Sequence, residues 1–128
     1  MQKPITRQTS YQSCQVNALF VVKDADSKIN EAVRRIVKRF RPEKIILFGS
    51  RARGDAQPDS DADLLVVMKV RGSRRRKASE IDLALAGIGM PKDVILVTPD
   101  EFLRCRDIVG TVVYPAVREG KVLYDCAA

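Results

Sequence analysis

KIILFGSRARGDAQPDSDADLLVV, residues 44–67, is the stretch that decides the fold. Lys44–Phe48 is an apolar, Ile-rich run bounded by Pro42 and Gly49, which reads as a buried strand. Residues 49–60 are polar and contain Gly54 and Pro58, so they read as a connection with room for one helical turn. Asp61–Val70 reads as a second strand. Gly49 permits a close backbone approach to a ligand, and Ser50 adds a hydroxyl. A helical turn starting at Ser50 would aim free amides at a phosphate. Asp61 and Asp63 stand two residues apart, and side chains at that spacing on a strand point the same way. Two carboxylates a few ångströms apart repel unless a cation sits between them, and such oxygen ligands suit Mg²⁺ bound together with substrate phosphates. Each feature taken singly has a plainer reading. Gly-Ser after a strand is usually a turn, and paired aspartates are often a solvated edge or helix caps.

Outward from that stretch, residues 26–40 form the clearest helix. Ile29, Ala32, Val33, Ile36, Val37 and Phe40 recur at three- and four-residue steps and share one face. Asp26 or Ser27 can cap its start, and Arg41-Pro42 ends it. Ala78–Ile88 reads as a second helix that stops near Gly87, Gly89 and Pro91. Asp93–Val97 reads as a third strand. If it lies beside Asp61–Val70, Asp93 joins the two carboxylates. Thr98-Pro99-Asp100-Glu101 carries the residues of a reciprocal helix cap. Helical pattern resumes over Thr111–Arg118, Gly120 breaks it, and Lys121–Tyr124 reads as a short last strand. The expected fold is α/β (α+β), a small mixed sheet packed with helices. Residues 1–15 read as a flexible polar tail, and residues 16–128 as one domain.

The 128 residues suit a single domain, and 45% hydrophobic with 30% charged residues reads as soluble and globular. Histidine is absent, which excludes a Ser-His-Asp triad, a His-paired Cys nucleophile and any His-based zinc site. Tryptophan is absent too, and at 5% aromatic residues a stacking platform for single strands is disfavoured. Cys14, Cys105 and Cys126 lie far apart without metal-ligand spacing, as expected of reduced thiols in the cytoplasm. No run of about 18 apolar residues suggests a membrane span, and the polar N-terminus lacks a signal-peptide core. The net charge of +7 points to a polyanionic partner such as a nucleotide, RNA, DNA or an acidic protein. Arg71, Arg74, Arg75, Arg76 and Lys77 concentrate part of that charge, and their plain reading is a solvated loop and helix start. Two competing motifs fail. Asp59, Asp61 and Asp63 open like an EF-hand, but Leu64 and Val70 stand where Gly and Glu are required. Gly49 and Gly54 have Walker-A spacing, but Asp55 and Ala56 replace its Lys and Ser/Thr.

Phe48-Gly49-Ser50-Arg51-Ala52-Arg53-Gly54-Asp55, followed by Ser60-Asp61-Ala62-Asp63-Leu64-Leu65-Val66, resembles the minimal nucleotidyltransferases of the DNA polymerase β-like superfamily. Their pattern is Gly-Ser, ten residues, then Asp-x-Asp, and residues 51–60 are those ten. The resemblance runs from the helix at 26–40 to the ending Arg118–Tyr124. It implies a nucleotidyltransferase fold. Gly49 and Ser50 would bind the β- and γ-phosphates of a nucleoside triphosphate, and Arg51 or Arg53 would offset phosphate charge. Asp61 and Asp63 would hold two Mg²⁺ ions. Asp93 would be the third carboxylate, binding one metal and helping to deprotonate an acceptor hydroxyl. Family members of this size often pair with a separately encoded helical HEPN-type protein as the antitoxin of a toxin–antitoxin pair. The resemblance therefore implies transfer of AMP from ATP to a hydroxyl of a partner protein, with the acceptor site completed by that partner or by self-association. The alternatives are an antitoxin that acts by contact alone and a nucleic-acid-binding protein that uses Arg71–Lys77.

Overall fold

The computed structural model describes residues 24–57 and 60–127. The expected tail at 1–15 and the apolar stretch Val16–Val22 lie outside the described residues. Helix α1, Asp24–Phe40, buries Ile29, Val33, Ile36 and Val37 on one face, as their spacing requires. It begins earlier than the sequence pattern suggested, so positions 26 and 27 lie inside the helix. Apolar periodicity marks only the buried turns, and a polar first turn carries no such mark. Arg41 closes the helix in the left-handed region at φ 50°, its amide donating to Val37 O at 3.1 Å.

Four strands form a mixed sheet in the order β3-β2-β1-β4. Strand β1 (Lys44–Phe48) and strand β2 (Ala62–Val67) run antiparallel and are joined through a one-turn helix α2 (Ser50–Arg53). Helix α3 (Arg74–Ala84) carries the chain over to strand β3 (Lys92–Val97), which lies parallel to β2. Helices α4 (Pro99–Cys105) and α5 (Val113–Glu119) then lead to strand β4 (Lys121–Asp125), antiparallel to β1 at the opposite edge. No helix of the described residues is long and apolar enough to cross a membrane.

Both faces of the sheet are covered. Ile45, Leu47, Leu64 and Val66 pack with α1 and α3 residues such as Val33, Ile36, Ile81 and Leu85. The alternate residues Ile46, Phe48, Leu65, Val67 and Val97 pack with Phe102 of α4 and with Val113 and Ala116 of α5. Central strands buried on both faces read as continuous apolar runs, which is why KIILF and DLLVV lack alternation.

Several element boundaries differ from the sequence reading, most of all those of β2 and α3. β2 is shorter than Asp61–Val70, leaving Asp61 just before the strand and Lys69 and Val70 in the loop after it. α3 covers Arg74–Ala84 rather than 78–88, because Ser73 caps it by accepting from the Arg76 amide at 3.2 Å. Arg74–Lys77 of the basic run therefore form the first turn of that helix, and Arg71 lies in the loop before it. A single expected helix start at Thr98 and a second pattern from Thr111 become α4 and α5. The expected reciprocal cap is present: Glu101 N donates to Thr98 Oγ1 at 3.2 Å, and Thr98 N donates to Glu101 Oε1 at 3.0 Å.

Gly120 joins α5 to β4 where the chain presses directly on β1. A Cβ there would overlap the carbonyl oxygens of Ala116 and Leu47 and the Ile46 side chain. Two of the three obstacles are backbone, so they cannot swing aside. Gly120→Ala is expected to destabilise the fold by about 3 kcal/mol, the upper range for overpacking. Equilibrium urea unfolding measures it.

Candidate functional site

β1 delivers the chain to a turn that only glycine satisfies. Gly49 adopts φ 79° and ψ −157°, a region closed to side-chain-bearing residues. The antiparallel register pairs Phe48 with Asp63, so Gly49 turns in beside the Asp63 carboxylate. A Cβ at position 49 would overlap Asp63 Oδ2. The backbone angle therefore requires glycine here, and any side chain would also displace the Asp63 carboxylate. Its carbonyl accepts from the amides of Ala52 and Arg53, both at 3.1 Å, which fixes the α2 turn. Gly54 ends that turn in the left-handed region and donates to Ser50 O at 2.9 Å.

The entry to β2 is held from two sides. The Arg51 guanidinium donates through Nε and Nη2 to Ser60 O at 3.0 and 2.8 Å. The Ala62 amide donates to Pro91 O at 3.0 Å. Asp61, between these two anchors, is exposed, while Asp63 is half-buried within β2. Parallel pairing of β2 with β3 sets Asp63 directly opposite Asp93, as the expected strand pairing required. By alternation Asp63 and Asp93 belong to the sheet face that α4 and α5 cover.

These three carboxylates act on one another. Burial pushes the Asp63 carboxyl above its ordinary range, the negative charges of Asp93 and Asp61 push it further, and Arg53 pulls it back. Arg53 also pairs with Asp55 at 3.3 Å and with Glu119 at 3.5 Å. The two arginines that sequence left as alternatives thus differ in placement. Arg51 grips the Ser60 carbonyl, and the Arg53 charge reaches Asp63. Sequence reasoning did not single out Glu119. Its only signal was a position just before Gly120, and its link to Arg53 comes from the α5–β4 turn folding back beside α2.

Among the described residues no group of three or more acidic, Cys or His side chains is gathered closely enough to hold one ion. The chemistry of the donor set nonetheless fits a hard divalent cation. Asp61, Asp63 and Asp93 offer oxygen ligands from adjacent strand positions, and the like charge around Asp63 is what a cation would relieve.

The sequence model of the nucleotidyltransferase domain family matches residues 27–116. The chain belongs to that family. Nucleotidyltransferase domains in general act on a nucleoside triphosphate with divalent metal. The matched span runs from α1 into α5 and includes Gly49, Ser50, Arg51, Arg53, Asp61, Asp63 and Asp93. Similarity to a candidate nucleotidyltransferase from Sulfolobus solfataricus, known from its crystal structure, covers 83% of this chain and 90% of that one, with a TM-score of 0.52 and 23% identity. At that identity the likeness shows the nucleotidyltransferase fold. Among curated proteins there is no match.

The electrostatics of this nucleotidyltransferase domain make a sign prediction. A raised carboxyl pKa in the fold means that stability is lost as pH rises through that value, so an ionised Asp63 opposes folding at neutral pH. Asp63→Asn keeps the shape and removes the charge. Thermal unfolding at neutral pH, in chelator and without divalent metal, is expected to show a higher Tm for the variant than for the wild type.

Proposed function

We propose that the chain is a Mg²⁺-dependent enzyme that transfers AMP from ATP to a hydroxyl group of a partner protein. The observation that carries the reading is the Gly49 backbone seated against the Asp63 carboxylate, with Asp93 in register beside it. Phosphate-binding backbone and metal-binding carboxylate meet there without an intervening side chain.

In this reading Gly49 and Ser50 receive the β- and γ-phosphates at the start of the α2 turn. Arg53, half-exposed and within electrostatic reach of Asp63, offsets phosphate charge. Arg51 is a positioning residue, holding Ser60 so that Asp61 faces the site. Asp61, Asp63 and Asp93 would hold the Mg²⁺ ions, whose charge would offset that which builds on the phosphates during displacement. Asp93 accepts the proton of the acceptor hydroxyl. The freed oxygen forms the bond to the α-phosphorus, the bond to the bridging oxygen breaks, and pyrophosphate leaves.

Resemblance of residues 48–66 to minimal nucleotidyltransferases supports the finer assignment: an antitoxin of a cytoplasmic toxin–antitoxin pair whose partner is a HEPN-type protein. A surface feature supports a protein acceptor. Leu103, Ile108 and Val109 are exposed on α4 and the loop after it, beside the sheet face that carries Asp63 and Asp93.

Label transfer tests the proposal. The protein is incubated with Mg²⁺ and α-labelled ATP, CTP, GTP or UTP in a lysate of the source organism, beside the Asp61→Asn/Asp63→Asn double variant. The expected result is one band labelled from ATP by the wild type, and at least about 100-fold less label with the folded variant. Equal labelling by both proteins would overturn the enzymatic reading. No label in the presence of the co-expressed partner would favour neutralisation by contact.

A further inference from the structure

The basic run that the transfer reaction leaves unused becomes, in the fold, part of a larger cluster. α1 and α3 lie antiparallel: Lys28 near the start of α1 donates to Gly89 O at 3.0 Å, and Arg35 donates to Ala84 O and Ala86 O at 3.2 and 2.9 Å. At the other end of the pair, Lys77 lies over the Phe40 ring at 5.7 Å. The last turn of α1, with Lys38 and Arg39, therefore sits beside the first turn of α3, with Arg74, Arg75 and Arg76. Lys69 and Arg71, in the loop between β2 and α3, extend the same surface. A groove of about 460 Å³ opens there, lined by Lys69, Val70, Arg71, Thr98, Pro99 and Asp100. A second, of about 380 Å³, is lined by Arg35, Lys38, Arg39 and Ala84.

Most of this charge has no internal counterpart. Arg74 pairs with Glu101 at 2.8 Å and Lys77 with Glu80 at 3.2 Å. Asp100, the acid in the larger groove, is engaged by Arg104 at 3.0 Å. Lys38, Arg39, Lys69, Arg71, Arg75 and Arg76 are exposed and make no ion pair among the described residues. The first turn of α3 has no acidic residue and three arginines, a placement that the helix dipole opposes. α4 shows the favourable arrangement, with Asp100 and Glu101 in its first turn. The cluster is thus a local cost to the isolated chain that an external polyanion would offset.

We infer that this surface binds the phosphate backbone of a nucleic-acid duplex, without reading its sequence. Three features choose that occupant. Guanidinium groups predominate, and their planar fork matches phosphate oxygens. Leu103, Ile108, Val109 and Val122 lie on other elements, and Leu83 sits at the opposite end of α3 from its arginine turn, so that turn lacks the apolar centre of a protein interface. The nearby ring, Phe40, is partly buried against the core and has Lys77 over it at 5.7 Å, so it offers a poor platform for the base stacking that a single strand requires. The cluster follows the C-terminal end of β2, whereas Asp61 and Asp63 lie at its start, about 20 Å away along six residues. The inference therefore stands apart from the transfer reaction.

The test is fluorescence anisotropy of labelled mixed-sequence duplex RNA and duplex DNA, titrated with the full chain across a range of NaCl. Wild-type affinity is expected to fall steeply with salt, by about 0.9 logarithmic units per unit of log salt for each DNA phosphate neutralised. Arg71→Gln/Arg75→Gln/Arg76→Gln is expected to lose at least tenfold in affinity and to flatten the DNA slope by about 2.7, for three contacts. Removing the same charge elsewhere, with Arg106→Gln/Arg118→Gln/Lys121→Gln, should leave affinity within about twofold. Asp61→Asn/Asp63→Asn should bind no more weakly than the wild type. Comparable strength on both duplexes marks backbone recognition, and preference for one names the source. A flat salt response, equal losses in the two triple variants, or binding confined to phosphatidylserine vesicles would overturn the inference.

Discussion

Phe48 pairs with Asp63 across the β1–β2 ladder, and Gly49 turns immediately into the space beside that carboxylate. Much of the molecule keeps those two groups in contact. The register is held by strands buried on both faces, because a one-residue slip would move Leu64 and Val66 out of the α1 and α3 core and turn Asp63 toward it. Gly49 must be free of a side chain, and the α2 turn must end quickly, which Gly54 achieves in the left-handed region. Arg51 then returns the loop to β2 through the Ser60 carbonyl. The parallel partner β3 adds Asp93 at the same level. Local turn chemistry, sheet register and crossover topology thus converge on one end of the sheet.

Charge is distributed unevenly along the sheet. The start of β2 and β3 gathers three carboxylates; burial, and then the repulsion of Asp93 and Asp61, raises the Asp63 pKa, with Arg53 as the opposing charge. The far end gathers exposed arginines and lysines around α1 and α3. The hydrophobic layers between them supply the folding energy that tolerates both.

Much of this arrangement was legible in the sequence. Residues 44–48 gave β1 in full, because an Ile-rich run between Pro42 and Gly49 has few alternatives. Thr98 through Glu101 revealed the α4 start, since a reciprocal cap uses short-range contacts between residues three apart. The spacing from Gly49 to Asp61 and Asp63 signalled the family. The α3 boundary was not legible, because Ser73 and the arginines after it lack apolar periodicity, and burial begins only at Ile81. Glu119 reaches Arg53 through the tertiary fold alone. The separate placements of Arg51 and Arg53 also depend on loop geometry, so two arginines alike in sequence act on different groups.

The central claim is that Gly49, Asp61, Asp63 and Asp93 form one metal- and phosphate-binding end of the sheet. Crystals grown with Mn²⁺ and a non-hydrolysable ATP analogue, measured for anomalous scattering, test it most directly. The account predicts Mn²⁺ peaks bounded by the Asp61, Asp63 and Asp93 carboxylates, with the β- and γ-phosphates against the Gly49–Ser50 backbone. Ordered nucleotide with Mn²⁺ away from all three carboxylates, or phosphates seated elsewhere on the fold, would contradict it.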